Sequence, residues 1–130
     1  MNPKHHVSLP IAKQLAEAGI VIKSEYQWYQ HPKTGEAHIS SGDAVIHLEI
    51  EGYVFVSNSP IATEILERLP KYLTDEDDMN WHLNISYDDY NTPYLSYQLN
   101  GMEWFNAVTD DTVSDALALL LIRLTKDGLI

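Results

Sequence analysis

No cysteine occurs anywhere in this chain. Disulfide staples, zinc–thiolate sites and thiol catalysis are therefore excluded. Positive charge is also scarce: eight Lys and Arg stand against 19 Asp and Glu, for a formal net charge of -11. Nucleic-acid binding runs on neutralisation of phosphates by Lys and Arg. A direct DNA or RNA partner is thus not expected, and anionic membrane surfaces are disfavoured on the same ground. Long hydrophobic runs are missing as well. The N-terminal stretch MNPKHHVSLP lacks the apolar centre of a signal peptide. The apolar run near the C-terminus is far shorter than the roughly 20 residues that span a bilayer. There is no G-x-S-x-G and no P-loop, so nucleophilic catalysis and nucleotide chemistry have no foothold. Together these absences predict a cytoplasmic protein with no catalytic activity and no cofactor.

What is present fits one domain spanning residues 1–130, with no internal repeat, linker or low-complexity block. At that length a single core buries roughly two thirds of the unfolded chain's surface. The charge is unevenly spread. Residues 1–60 hold six acids and four Lys/Arg, a net of -2, whereas residues 61–130 hold thirteen acids and four Lys/Arg, a net of -9. Such an acidic half is compatible with a basic protein partner, and equally with simple solubility.

The element pattern predicts an α+β fold: a mainly antiparallel sheet of four or five strands with about three helices packed on it. A first helix is expected over 9–18, with Ser8 as N-cap, Pro10 in its first turn and Gly19 as its stop. EYQWYQHPKTGEAHIS reads as a hairpin turning at HPKTG. In AVIHLEIEGYVFV, Ile46, Leu48 and Ile50 alternate with Val45, His47, Glu49 and Glu51, which predicts a strand with one buried face. Gly52 then allows a bulge or turn. A second helix is expected from Ser59 as cap and Pro60 as first residue to the stop at Pro70. WHLNISYDDYNTPYLSYQL predicts a second hairpin, and MEWFNAV a further short strand.

The closing helix is expected from Asp111 or Thr112 to Asp127, capped by Thr109, Asp110 or Asp111 and stopped by Gly128. Val113, Ala116, Leu117, Leu120, Leu121 and Leu124 form its main stripe, and Leu119 and Ile122 lie off it. A helix apolar on so many sides must be covered on more than one. It either packs on the sheet with the other two helices as neighbours, or packs partly against a second copy. Leu119 and Ile122 are accordingly candidate contacts in a homodimer.

Three segments together resemble a group of small phage and prophage proteins of unknown function. SLPIAKQLAEAGIVIKSEYQWYQ resembles their opening, a helix of the type S-x-x-x-A-K-x-L-x-x-x-G leading into an aromatic strand. PIATEILERLPKYL is similar to their middle helix ending in Leu-Pro, and DALALLLIRLTKDGLI to their Asp-Ala-rich closing helix. These matches cover roughly half the chain, in order, and each is a helix-start, helix-stop or core pattern. The resemblance implies an origin in a mobile element, action inside a host cell, and no activity. It carries no catalytic residues over.

Several constellations could bear chemistry. His47 and Glu49, with Glu51 next, would share a strand face and could bind zinc if His38 or His82 supplied a third ligand. A solvated polar face explains them as well, and no metal is expected. His5 and His6 fall in a terminus expected to fray. Asp75, Glu76, Asp77 and Asp78 form an acidic loop that lacks the glycine and final glutamate of an EF-hand. They are the candidate contacts for a basic partner. Asp88/Asp89 suit a turn and Asp110/Asp111 a helix N-terminus. The thirteen aromatic residues, eight of them tyrosine, fit either an interface or ordinary sheet packing.

Overall fold

A computed structural model of the chain describes residues 6–42, 44–108 and 112–130. Among the described residues there are four helices and seven strands. In order they are α1 (Leu9–Glu17), β1 (Gln27–Gln30), β2 (Ala37–Ser40), α2 (Ala44–Ile50), β3 (Val54–Asn58), α3 (Ala62–Leu66), β4 (Tyr72–Thr74), β5 (Asn80–Tyr87), β6 (Pro93–Leu99), β7 (Met102–Val108) and α4 (Val113–Lys126). The class is α+β, as the pattern predicts. The strands are divided between two antiparallel sheets, ordered β2-β1-β3 and β4-β5-β6-β7. Both expected hairpins form, with Trp28 opposite Ile39 in the first and Leu83 opposite Tyr97 in the second.

The segment expected as one long strand is corrected. Residues 44–50 form α2, and only Val54–Asn58 is strand. Over so short a run both periods fit the same apolar residues: Ile46, Leu48 and Ile50 alternate, while Ile46 and Ile50 also lie one helical turn apart. Gly52 decides in favour of a helix stop. Its φ of 97° is open to glycine at little cost. There the Tyr53 N–H donates to the Leu48 carbonyl (2.9 Å) and the Gly52 N–H to the Glu49 carbonyl (3.1 Å), the pattern of a Schellman closure.

Two caps also differ from expectation. α3 is capped at Ile61, not Ser59, and the Glu64 carboxylate accepts the Ile61 N–H at 3.0 Å. The helix is correspondingly short. At α4 the cap is Thr112, whose hydroxyl accepts the Asp115 N–H at 3.3 Å. Of the expected caps, residues 109–111 lie outside the described residues.

α4 is the centre of the core. It packs against α1, α3, β6 and β7. Ala116, Leu117, Leu120 and Leu124 are fully buried, and Ile122 is 4 % exposed. Its all-round apolar character is thus met largely within the chain, by two helices and a sheet. Leu95 and Tyr97 of β6 supply the sheet side of this cluster, with Leu15, Ile65 and Leu69 from the helical side. The Tyr97 hydroxyl donates to the Pro70 carbonyl (2.8 Å), and burial pushes it up to about 12.

The start of the described chain is tied down rather than frayed. His6 is 3 % exposed, and its Nδ1 lies 3.1 Å from the Ser59 carbonyl. The Val7 N–H donates to the Pro60 carbonyl (3.0 Å), and the Trp28 indole donates to the Val7 carbonyl (2.9 Å). At Ser8 the backbone N–H reaches Asp115 of α4 (2.7 Å). His5 lies outside the described residues.

Candidate functional site

A groove of about 270 Å³ runs between α1 and β3. One wall is the Ala12, Leu15 and Ala16 face of α1. The segment that follows Gly19 turns Ile20, Val21 and Ile22 onto it. The opposite wall is β3, through Phe55, Val56, Ser57 and Asn58 in succession. A strand seen face-on presents alternate residues only. Four successive residues therefore mean that the groove looks onto the edge of β3. That agrees with its outer position in the sheet, where β1 is its neighbour on one side.

The walls are almost wholly apolar, and no Asp, Glu, His, Lys or Arg is among the described residues lining them. Val21 and Phe55 stand at the rim with 68 % and 55 % exposure. The polar exceptions are Ser57 and Asn58, and Ser57 is the more deeply buried. The Ser57 side chain is buried (7 % exposed), yet its hydroxyl has no hydrogen-bond partner among the described residues. An unsatisfied buried hydroxyl of this kind costs on the order of 1–3 kcal/mol. Ser59, just beyond the strand, has a buried hydroxyl in the same condition. With apolar walls and no acid, base or charge, the groove is suited to binding and not to proton transfer.

The Val54 end of β3 is electronegative. The Tyr29 hydroxyl is pushed up by burial and by the Glu49 charge beside it. Tyr53 is pushed up by burial, by its hydrogen bond to Glu36, and by the charges of Glu36 and Glu51. Lys13 of α1 reaches Gln30 opposite Val54 (3.4 Å), one cation against these three acids.

The residues singled out in the sequence lie elsewhere. Asp75, Glu76, Asp77 and Asp78 form the turn of the β4–β5 hairpin, and only Glu76, Asp77 and Asp78 are exposed. Asp75 is structural. It accepts hydrogen bonds from the Trp81 indole (2.9 Å), the Asp77 N–H (2.9 Å) and the Met79 N–H (3.0 Å). These bonds, led by that of Trp81, hold its carboxyl below the usual range despite partial burial. The hairpin is therefore expected to lose this support as pH falls through the depressed pKa of Asp75, and to hold it fully above the ordinary carboxylate value. Asp75→Asn should remove that acid-dependent step from the Trp81 emission profile. An unchanged profile would show that the charge does not support the turn. A broad depression of about 430 Å³ beside this hairpin is lined by Thr74 to Asp77, Trp104 and Leu129.

Leu119 is half-buried and Ile122 is buried in the chain's own core, so Ile122 is not available to a second copy without opening α4. His47 and Glu49 sit on α2 two residues apart, a spacing that does not share a helix face. His38 is held by Glu36 (3.0 Å), and the His82 ring lies tilted beside Tyr72. Among the described residues no three His, Asp or Glu side chains are grouped to hold a metal ion. No helix among them is long and apolar enough to cross a membrane.

The groove was missed in the sequence because its walls come from three separated segments without a motif. The one local hint was VFVSN, a strand with neither charge nor proline to guard an edge.

By fold the chain is an α+β protein with two antiparallel sheets, the four-stranded one packed on the buried helix α4. Compared with known protein families, curated proteins and solved structures, it matches none.

Proposed function

We propose that this protein acts by binding another protein, as a small non-catalytic accessory factor whose partner is basic. The observation that carries this reading is the α1–β3 groove: apolar walls and an exposed aromatic rim, with no ionisable group among the described residues that line it. The net charge of -11 supports the choice of a basic partner. It also disfavours a second copy of the same chain, which would bring a like charge. The resemblance to small phage and prophage proteins supports an accessory role inside a host cell.

Selection from a random displayed-peptide library tests this. Selected sequences should be rich in Lys and Arg and should be lost with Ala16→Trp, which fills the groove from an exposed helix position. Recovery of no sequences, or of acidic ones, would overturn the reading. A mass that doubles with concentration would favour self-association instead.

A further inference from the structure

We infer that the groove receives an extended, basic peptide segment that adds to the sheet as a strand beside β3. This rests on the protein-binding reading above and specifies how and where the partner docks.

The first support is backbone geometry. The Ser59 N–H donates to the Tyr26 carbonyl (2.9 Å). Hydrogen-bonded and non-hydrogen-bonded pairs alternate along an antiparallel ladder. At Asn58, one residue earlier and opposite Gln27, the N–H and C=O therefore point away from β1. One residue beyond Ser59, the Pro60 carbonyl takes the Val7 N–H on that same outer side, and His6 bridges to Ile61. The fold thus already pairs a segment of its own along this edge. At Leu9 that segment turns into α1 and leaves the line of the strand. Among the described residues, Val54–Asn58 has only β1 as a ladder partner.

The second support is that, apart from α1 packing alongside it, this edge has little protection. Unpaired edges are ordinarily guarded by lysine, proline, burial or twist. β3 carries no charge and no proline, and Val54 and Phe55 are more than half exposed. Its register shifts against β1, with Val56 as the extra residue, which twists the strand without closing the edge. An incoming strand would offer backbone groups to Asn58. Its alternate side chains would enter the apolar groove against Ala12, Ala16 and Phe55.

Charge selects the end at which the occupant's cations sit. Glu36, Glu49 and Glu51 gather at the Val54 end, with Lys13 the cation nearby, whereas Arg68 donates to the Val21 carbonyl (2.7 Å) at the groove's rim. Lys or Arg beside the apolar run of the incoming segment would answer those acids.

The test uses the whole chain, isotope-labelled, and three synthetic peptides. The first is Lys-Lys-Val-Thr-Val-Thr-Val. The second carries Glu in place of both Lys. The third matches the first but is N-methylated at alternate residues, which removes strand donors while keeping the side chains. With the first peptide, the Asn58 amide should exchange at least about tenfold more slowly, and shifts should centre on residues 54–58 and α1. The acidic and N-methylated peptides should each bind at least about tenfold more weakly, and the acid–base difference should shrink in high salt. Equal binding of the N-methylated peptide would overturn strand addition and leave protein binding standing. Protection along β2, β4 or β7 instead would overturn the location. Equal binding of the acidic peptide would overturn the charge assignment. No binding by any of the three would overturn strand addition, and the library selection then decides separately whether the protein-binding reading survives.

Discussion

Leu120→Ala is expected to destabilise the protein by about 2–5 kcal/mol, the largest effect of any single change argued for this chain. Leu120 is fully buried in α4, the element that meets α1, α3 and both β6 and β7. Truncation there loses the transfer of two methyl groups and the methine that carries them, and leaves a cavity among several elements that cannot all close on it. For a domain of this size one kcal/mol shifts Tm by about 4 °C, so the midpoint should fall by roughly 10 °C or more. Marginally stable domains hold only about 5–15 kcal/mol, so the variant stands near the edge of folding. Denaturant titration followed by tryptophan emission measures it. Leu119→Ala, at a half-buried site on the same helix, provides the comparison and should cost much less. Equal losses that vary with protein concentration would mean that a second copy covers Leu119.

Asp115→Ala should rank next, at about 2–4 kcal/mol. Asp115 is 3 % exposed, and its carboxylate accepts the Ser8 N–H at 2.7 Å. It occupies the first turn of α4, and Ser8 is the N-cap of α1. One buried carboxylate thus faces the N-terminal ends of two helices, where the partial charges are positive. A hydrogen bond to a charged group is worth about 1.5–3 kcal/mol, and the dipole interaction about 0.3–1 kcal/mol more. Ser8 itself does not cap with its hydroxyl, so Ser8→Ala should change little by comparison. Asp115→Asn keeps an acceptor and the shape, and should lose less than the alanine variant. Urea unfolding separates the three. A loss below about 1 kcal/mol for Asp115→Ala would show that the link between the two helix starts carries little stability.

The contrast between Ser8 and Asp115 shows where local sequence signals reach and where they stop. Ser8 has the residue type and position of an N-cap, and the helix does start after it. Its partner, though, is the Asp115 carboxylate across the fold, which accepts the Ser8 backbone N–H and which no local pattern announces. α1, both hairpins and α4 were legible because each carries a long period or a turn with its own chemistry. Gly19 and Gly128 stop their helices as the pattern predicts, with the Ile20 and Leu129 amides closing the last turns. The run from Ala44 to Ile50 was not legible, since strand and helix periods both fit seven residues and neither Ile46 nor Ile50 is buried to arbitrate.

The functional residues followed the same division. Charged clusters are conspicuous in a sequence, and Asp75 to Asp78 drew attention for that reason. In the structure Asp75 is occupied holding its own turn. The groove is lined by residues such as alanine, isoleucine, phenylalanine and serine, whose meaning depends on what stands opposite. Ser57 is an ordinary strand serine until burial leaves its hydroxyl without a partner.

By itself the sequence determined composition-level facts and local structure: the absence of thiol chemistry, the acidity, the α+β class and the apolar closing helix. These follow from residue type and from periods of two or 3.6, which act between near neighbours. The tertiary structure alone decided that the strands divide into two sheets, that Ile122 faces inward, and that the edge of β3 stays open beside α1. Those outcomes depend on contacts between residues far apart in the chain, where burial and backbone pairing are settled by the whole fold and not by any segment of it.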